Sequence, residues 1–316
     1  MARKYTVKRK KPLFCLKNFH TFLMLVEVLL LGGILLIIIK DIQDKMRPKP
    51  VIETSKSEVR KLPADVKKSL DKATTSASFR VPILMYHYVE YVKDRKDILR
   101  ERLNIEPDIF EQQIKTLHDA NYTFMTASEL GDVLDGIAQL PANPILITID
   151  DGHWDLYTDI LPILEKYKAK ATAYIIPGFL GGSDFLSTKQ LRGVIDSGLV
   201  EVGAHTVHHY SLTELSEGQV HYEVSESKAM LEKMFNIKVT SFAYPNGAFN
   251  LKVAEAVKNS QFSLAFSTVP GIQQSFANRY FLYRLRPGQR TGEVMLSWLN
   301  QDTFSASTPA MISRSN

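Results

Sequence analysis

The segment Ile145-Leu146-Ile147-Thr148-Ile149-Asp150-Asp151-Gly152 is apolar from its first residue, broken only by Thr148, and then turns abruptly acidic. A strand that is wet on one face alternates apolar with polar residues. A continuous β-branched run belongs to a strand covered on both faces, as in a parallel sheet flanked by helices. Similar runs recur at Val81–Val89, Ala171–Ile176, Val200–His205, Val239–Tyr244, Phe262–Thr268 and, more weakly, Phe281–Arg286. Helical periodicity fills the intervals. Asp108–Asn121 places Ile109, Phe110, Ile114 and Leu117 on one face, and Thr126 with Glu129 forms a capping-box pattern ahead of Leu130, Val133 and Leu134. Leu156–Tyr167, Ser216–Phe235 and Leu251–Asn259 complete the set. This βα rhythm across residues 80–303 predicts an α/β fold, a closed or nearly closed barrel, with an open doubly wound sheet as the alternative. No glycine-rich dinucleotide loop and no Walker pattern is present.

Composition narrows the class. Of 316 residues, 45% are hydrophobic and 23% charged, which excludes disordered and collagen-like chains. The lone cysteine, Cys15, excludes a disulfide framework and a cysteine-rich zinc module. The net charge of +5 is misleading. Residues 1–18 carry seven basic side chains and no acid, so the rest of the chain sums to −2. That balance gives no general attraction to polyanions, and with no basic-aromatic stripe no nucleic-acid partner is expected.

After this basic tail, Phe19–Ile39 is a run of 21 residues with one charge, Glu27. About 20 helical residues cross a bilayer core. The run ends at Ile37-Ile38-Ile39-Lys40 without a small-residue cleavage site, so an uncleaved membrane anchor is expected rather than a signal peptide. The preceding charges keep the N-terminus cytoplasmic and put the rest outside the cell. Residues 40–79 read as an extracellular stalk with a short helix near Asp65–Lys72, and residues 304–316 as a frayed polar tail.

In a parallel βα barrel, chemistry gathers where strands end. The first strand ends near His87, the second in Asp150-Asp151-Gly152, the next informative one in His205-Thr206-Val207-His208-His209, and another in Tyr244-Pro245-Asn246-Gly247. Two adjacent carboxylates repel unless a cation sits between their demands. A divalent metal resolves the conflict, one carboxylate binding it and the other remaining free to take a proton. His205 and His209 supply neutral imidazoles at H-x-x-x-H spacing, and His208 is the alternative second ligand. His153 can approach the metal or line the pocket, and Trp154 can stack on a sugar ring or join the core.

These motifs resemble those of the polysaccharide deacetylases, the NodB-homology group or carbohydrate esterase family 4. Thr148–Gly152 is similar to the first motif, His205–His209 with Leu212 to the second, and Phe242–Gly247 to the third. Val81-Pro82-Ile83-Leu84-Met85-Tyr86-His87 resembles the branch containing poly-N-acetylglucosamine deacetylases. The resemblance covers about residues 80–290 and implies a distorted (β/α)7 barrel that removes acetyl groups from sugars. It implies Asp151, His205 and His209 as ligands of a divalent metal, zinc first, with cobalt or nickel as alternatives. Asp150 becomes the general base, and His87 the general acid in place of the late histidine of many members. Asn246 and Tyr244, with Trp154, are assigned to substrate or oxyanion binding. Where the third motif usually offers an arginine that fixes the base, this chain has Ala243, and where it offers a tyrosine, Asn246.

The expected function is thus a membrane-anchored, metal-dependent N-deacetylase of an N-acetylglucosamine-containing cell-surface glycan: peptidoglycan, poly-N-acetylglucosamine or the linkage sugar of a wall polysaccharide. The alternatives are an O-acetyl polysaccharide esterase and a catalytically silent glycan-binding module.

Overall fold

The computed structural model describes residues 63–72, 78–92 and 96–301. The expected cytoplasmic tail (1–18), membrane span (19–39), flexible tail (304–316) and most of the stalk (40–79) lie outside the described residues. Among the described residues no helix is long and apolar enough to cross a membrane.

The strands are β1 (Ser78–Arg80), β2 (Ile83–Tyr86), β3 (Tyr88–Val89), β4 (Asn104–Ile105), β5 (Thr123–Met125), β6 (Pro144–Asp151), β7 (Ala171–Ile175), β8 (Val200–Ala204), β9 (Ser241–Ala243), β10 (Leu264–Phe266) and β11 (Gln273–Ser275). A parallel sheet runs in the order β10-β9-β8-β7-β6-β2. β6 is long enough to carry two partners on one side: β5 pairs with Pro144–Leu146 and β2 with Leu146–Ile149. The sheet curls, and its two ends are joined through a short later segment. Leu282 N–H donates to Ala265 O (2.8 Å) and Leu285 N–H to Ile83 O (2.8 Å), while Met85 N–H donates back to Leu285 O (2.9 Å). Phe281–Arg286, expected as a weak strand, is therefore the seam of the curled sheet. It steps from β10 to β2 within four residues, too quickly to form a continuous ladder with either.

Side-chain alternation on β6 sorts its residues into two layers. Ile145, Ile147 and Ile149 pack outward, in the core shared with the helices, while Leu146 joins the inner cluster with Ile83, Tyr174, Leu264, Phe266 and Leu282. Thr148 and Asp150 follow Leu146 on the inner side and are buried. The carboxyl end of β6 thus delivers Asp150 to the inside of the barrel mouth.

Helices cover the outside, as the periodicity predicts. Pro107–Asp119 buries Phe110, Ile114 and Leu117, and Leu251–Asn259 has the predicted bounds. The Thr126/Glu129 capping box is present and starts Ala127–Leu134. The expected helix Leu156–Tyr167 opens with a π-helical stretch, Leu156–Ile160, before continuing as Leu161–Tyr167. Two elements precede residue 80. Helix Ala64–Lys72 inserts Val66 into the core, and its Asp65 accepts a hydrogen bond from Leu251 N (3.0 Å). β1 pairs antiparallel with β11. The carboxyl end of the expected stalk is therefore built into the domain.

Candidate active site

The sheet's carboxyl edge brings four loops together. Asp151 ends β6 in left-handed backbone (φ 77°), followed by Gly152 (φ 78°). The loop after β8 holds Thr206 and His209 at φ 64° and 59°. Positive φ is costly for a β-branched threonine and persists only where the surroundings fix it. Here they do. Thr206 Oγ1 accepts from His209 N (2.8 Å), and the buried Glu223 accepts from Val207 N and His208 N (2.9 Å each). On the other side, Gly178 N donates to Val207 O (3.2 Å), and a Cβ at Gly178 would stand 2.3 Å from that oxygen. The loop is thus held from two directions.

The result is convergence. Asp151 Oδ1 lies 3.3 Å from His205 Nε2 and 3.2 Å from His209 Nε2, and ligand atoms of all three residues lie within 4.8 Å of one another. His205 Nδ1 is 2.7 Å from Ala243 O, so its proton sits on Nδ1 and the Nε2 lone pair faces the carboxylate. Asp151 Oδ1 is buried with no hydrogen-bond partner. Two nitrogens and an orphaned carboxylate oxygen, all aimed at one point, fit a divalent cation. Burial pushes the Asp151 carboxyl up, but His153, His205 and His209 outweigh it and hold it well below the usual carboxylate range. Burial likewise pulls the His209 imidazole down, and Asp151 raises it above its ordinary value.

Asp150 has a different environment. Arg284, itself 1% exposed, clamps it with two parallel bonds, Nη1 to Oδ1 (2.7 Å) and Nη2 to Oδ2 (2.8 Å). Arg284 is fixed in turn by Ser267 O (2.8 Å) and Thr148 Oγ1 (3.2 Å). Burial pushes the Asp150 carboxyl up, and Arg284 reverses this, leaving it below its ordinary value. An arginine from the seam thus holds Asp150, where the resemblance leads us to expect one at the position of Ala243. Sequence reasoning passed over Arg284, although a charged residue flanked by Tyr283 and Leu285 in an apolar run was its visible signal.

His87 occupies the break between β2 and β3. Burial, assisted by Arg286 and opposed by Asp151 and Asp150, pushes its imidazole down to about 4, so it is neutral at neutral pH. His208 does not join the cluster; its Nδ1 pairs with Glu223 Oε1 at 2.7 Å. His153 is sandwiched between Tyr88 and Phe185, with ring centroids 4.0 and 4.8 Å away, and its Nε2 is 3.5 Å from Asp151 Oδ2. Trp154 is half-buried, and its backbone N–H donates to Asp184 O (3.2 Å). Asn246 stands exposed after β9 at φ 55°. Tyr244 departs from its expected role. Its ring is buried between Phe242 and Phe249 and its hydroxyl donates to Tyr280 O (2.7 Å), so both its apolar and its polar parts are spent in the core.

Residues 138–265 match the family model for polysaccharide deacetylase. YxkH of Bacillus subtilis is 27% identical over 267 residues, 83% of this chain and 92% of that one. The poly-beta-1,6-N-acetyl-D-glucosamine N-deacetylase of Staphylococcus aureus is 27% identical over 212 residues, 63% of this chain and 72% of that one. Among solved structures, the Streptococcus pyogenes deacetylase PplD in complex with acetate has a TM-score of 0.65 at 28% identity, covering 71% of this chain and all (100%) of that one. IcaB from Ammonifex degensii has a TM-score of 0.59 at 26% identity, covering 70% and 95%.

Proposed function

We infer from the polysaccharide deacetylase domain that this chain carries, a domain of enzymes hydrolysing the amide bonds of acetylated sugars, that the protein is a metal-dependent N-deacetylase of an N-acetylglucosamine-containing cell-surface glycan. The observation that carries this reading is the pair of carboxylates with opposite surroundings. Asp151 faces two imidazole nitrogens, and Asp150 faces a guanidinium.

A divalent cation held by Asp151, His205 and His209, zinc first and cobalt or nickel as alternatives, would supply Lewis-acid chemistry, polarising the acyl oxygen and acidifying water. The protein's own groups do the rest. Asp150 is ionised and oriented by Arg284, so it is ready to accept a proton from the attacking water. The turn at Asn246 offers that residue's own backbone N–H to the developing oxyanion, the N–H groups of Gly247 and Ala248 being bonded to Tyr244 O and Pro245 O. His87 hands a proton to the departing amine, and because it starts neutral it must first receive one. Poly-N-acetylglucosamine, peptidoglycan and the linkage sugar of a wall polysaccharide all present the required acetamide. The apolar run Phe19–Ile39 supports a membrane anchor with the N-terminus cytoplasmic and the domain outside the cell.

The neutral His87 favours one second reading, O-deacetylation, because an ester's alkoxide leaves with far less acid assistance than an amine. Acetate release by His87→Ala from matched amide and ester substrates separates the two. Loss on the amide alone supports N-deacetylation, and full retention on the amide overturns it. Mass analysis of surface glycans from cells with and without the protein identifies the polymer, through one missing acetyl group per processed sugar.

A further inference from the structure

Eight arginines fall among the described residues, and six of them are held. Arg80, Arg192 and Arg290 bond to backbone carbonyls, Arg100 to Glu90, Arg279 to Asp135 and Arg284 to Asp150. Arg102 and Arg286 make no hydrogen bond, ion pair or ring contact among the described residues, and both are exposed. These two come from different parts of the chain to the same place. Arg286 follows Leu285, whose backbone is bonded on both sides to β2 at Ile83 and Met85 and lies level with Leu84, so Arg286 stands level with Met85, two residues ahead of His87. Arg284 points inward and Leu285 packs in the outer core, so alternation returns Arg286 to the mouth side. Arg102 lies in the last turn of helix Ile98–Leu103, two residues ahead of Asn104, which pairs with Tyr88, the neighbour of His87. Desolvation pushes the Arg286 guanidinium down to about 10; the charges of Arg284 and Arg102 push the same way, and Asp150 and Asp151 oppose them. Neither guanidinium holds a carboxylate in an ion pair of its own among the described residues, and two such groups at a pocket mouth can take an anion between them.

We propose that Arg102 and Arg286 form a subsite for an anionic substituent, a carboxylate or a phosphate, carried by the glycan beside the acetamido sugar. The proposal rests on the deacetylase reading and adds a substrate class to it. The subsite lies on the His87 side of the centre, so the anion is bound next to the nitrogen that becomes an amine. The enzyme would thereby distinguish acidic wall glycans from a neutral homopolymer of N-acetylglucosamine.

The test uses the full-length protein loaded with zinc and three defined oligosaccharides: neutral N-acetylglucosamine, the same chain with a carboxylate on the neighbouring sugar, and the same chain with a phosphodiester there. An anionic arm is expected to exceed the neutral one in kcat/KM by about tenfold, the scale of one charge-assisted hydrogen bond at an accessible site. Whichever arm is preferred names the substituent. Arg102→Gln and Arg286→Gln should each bring the anionic-to-neutral ratio towards one, through KM rather than kcat. Arg102→Lys should restore part of the preference, and added salt should weaken it in the unmodified protein. Equal kcat/KM on all three substrates, or a loss in the variants that is proportionate on neutral and anionic chains, overturns the subsite. If no acetate is released from any of them, the deacetylase reading fails separately. Calorimetric binding of the same three oligosaccharides then decides the subsite, with indifference to the anion refuting it.

Discussion

Replacing Arg284 by methionine should uncouple the base from the fold. Arg284 and Asp150 are 1% and 2% exposed, so removing the guanidinium strands a carboxylate in the barrel with no counter-charge. Breaking one side of a buried, bidentate pair costs about 3–5 kcal/mol of stability. The variant can limit that loss by protonating Asp150, because burial alone pushes the carboxyl up. The two consequences are linked. Unfolding in urea should show the destabilisation at neutral pH, and Asp150→Asn in the Arg284→Met background should recover part of it, since an amide needs no counter-charge. In kcat/KM against pH, the acid limb should move to higher pH, as a group held ionised by Arg284 becomes one that holds its proton. Arg284→Lys should fall between, keeping the charge but losing the fork. A folded Arg284→Met protein whose acid limb coincides with that of the parent would refute the reasoning, because Asp150 would then not owe its ionisation to Arg284.

The remaining expectations concern the same framework. Asp150→Asn should retain metal by elemental analysis yet lose at least about a hundredfold in kcat, the scale of a general base, whereas His205→Ala should lose metal and activity together. Asp155 is buried and pushed up to about 6 from the ordinary 3.8, against the opposing Val89 N–H. Its folded pKa exceeds the unfolded one, so its favourable contribution is complete below about pH 4 and is lost as pH rises through 6, a cost of about 3 kcal/mol at neutral pH. Asp155→Asn should therefore flatten the urea midpoint across that window, and a parent protein already flat there contradicts the assignment. Gly178→Ala would place a methyl 2.3 Å from Val207 O. Thermal unfolding should show a loss of about 1–3 kcal/mol, and weaker zinc binding should accompany it because the displaced loop carries His209.

Much of this was legible in the residues because a buried parallel strand writes its own ending. On β6, β8 and β9 the apolar run stops where the polar loop begins, and those stops carry Asp150, Asp151, His205, His209 and Asn246. Capping residues marked helix starts for the same local reason, as Thr126 with Glu129 shows. What escaped was non-local. β5 is three residues long and paired only because β6 is unusually extended. Helix Ala64–Lys72 is polar on most positions, and its membership of the domain rests on Val66 in the core and on a partner, Leu251, 186 residues away from Asp65. Arg284 becomes meaningful only when the seam lays it over Asp150. Tyr244 is assigned to the substrate from its place within the third motif, while the acceptor of its hydroxyl, Tyr280 O, is another distant backbone group.

The seam also sets an order for making the protein. Arg284 and Asp150 are 134 residues apart in sequence, and closure waits for Leu285 to reach β2. A chain still emerging from the ribosome can lay down β6, β7 and β8 in sequence while Asp150 remains hydrated and both sheet edges stay open. Contacts of such long range are slow to form because loop closure must precede any gain from them. The carboxylate is therefore armed last, by the same stroke that shuts the barrel, and a product truncated before residue 284 would lack both the closing wall and the guanidinium that holds Asp150.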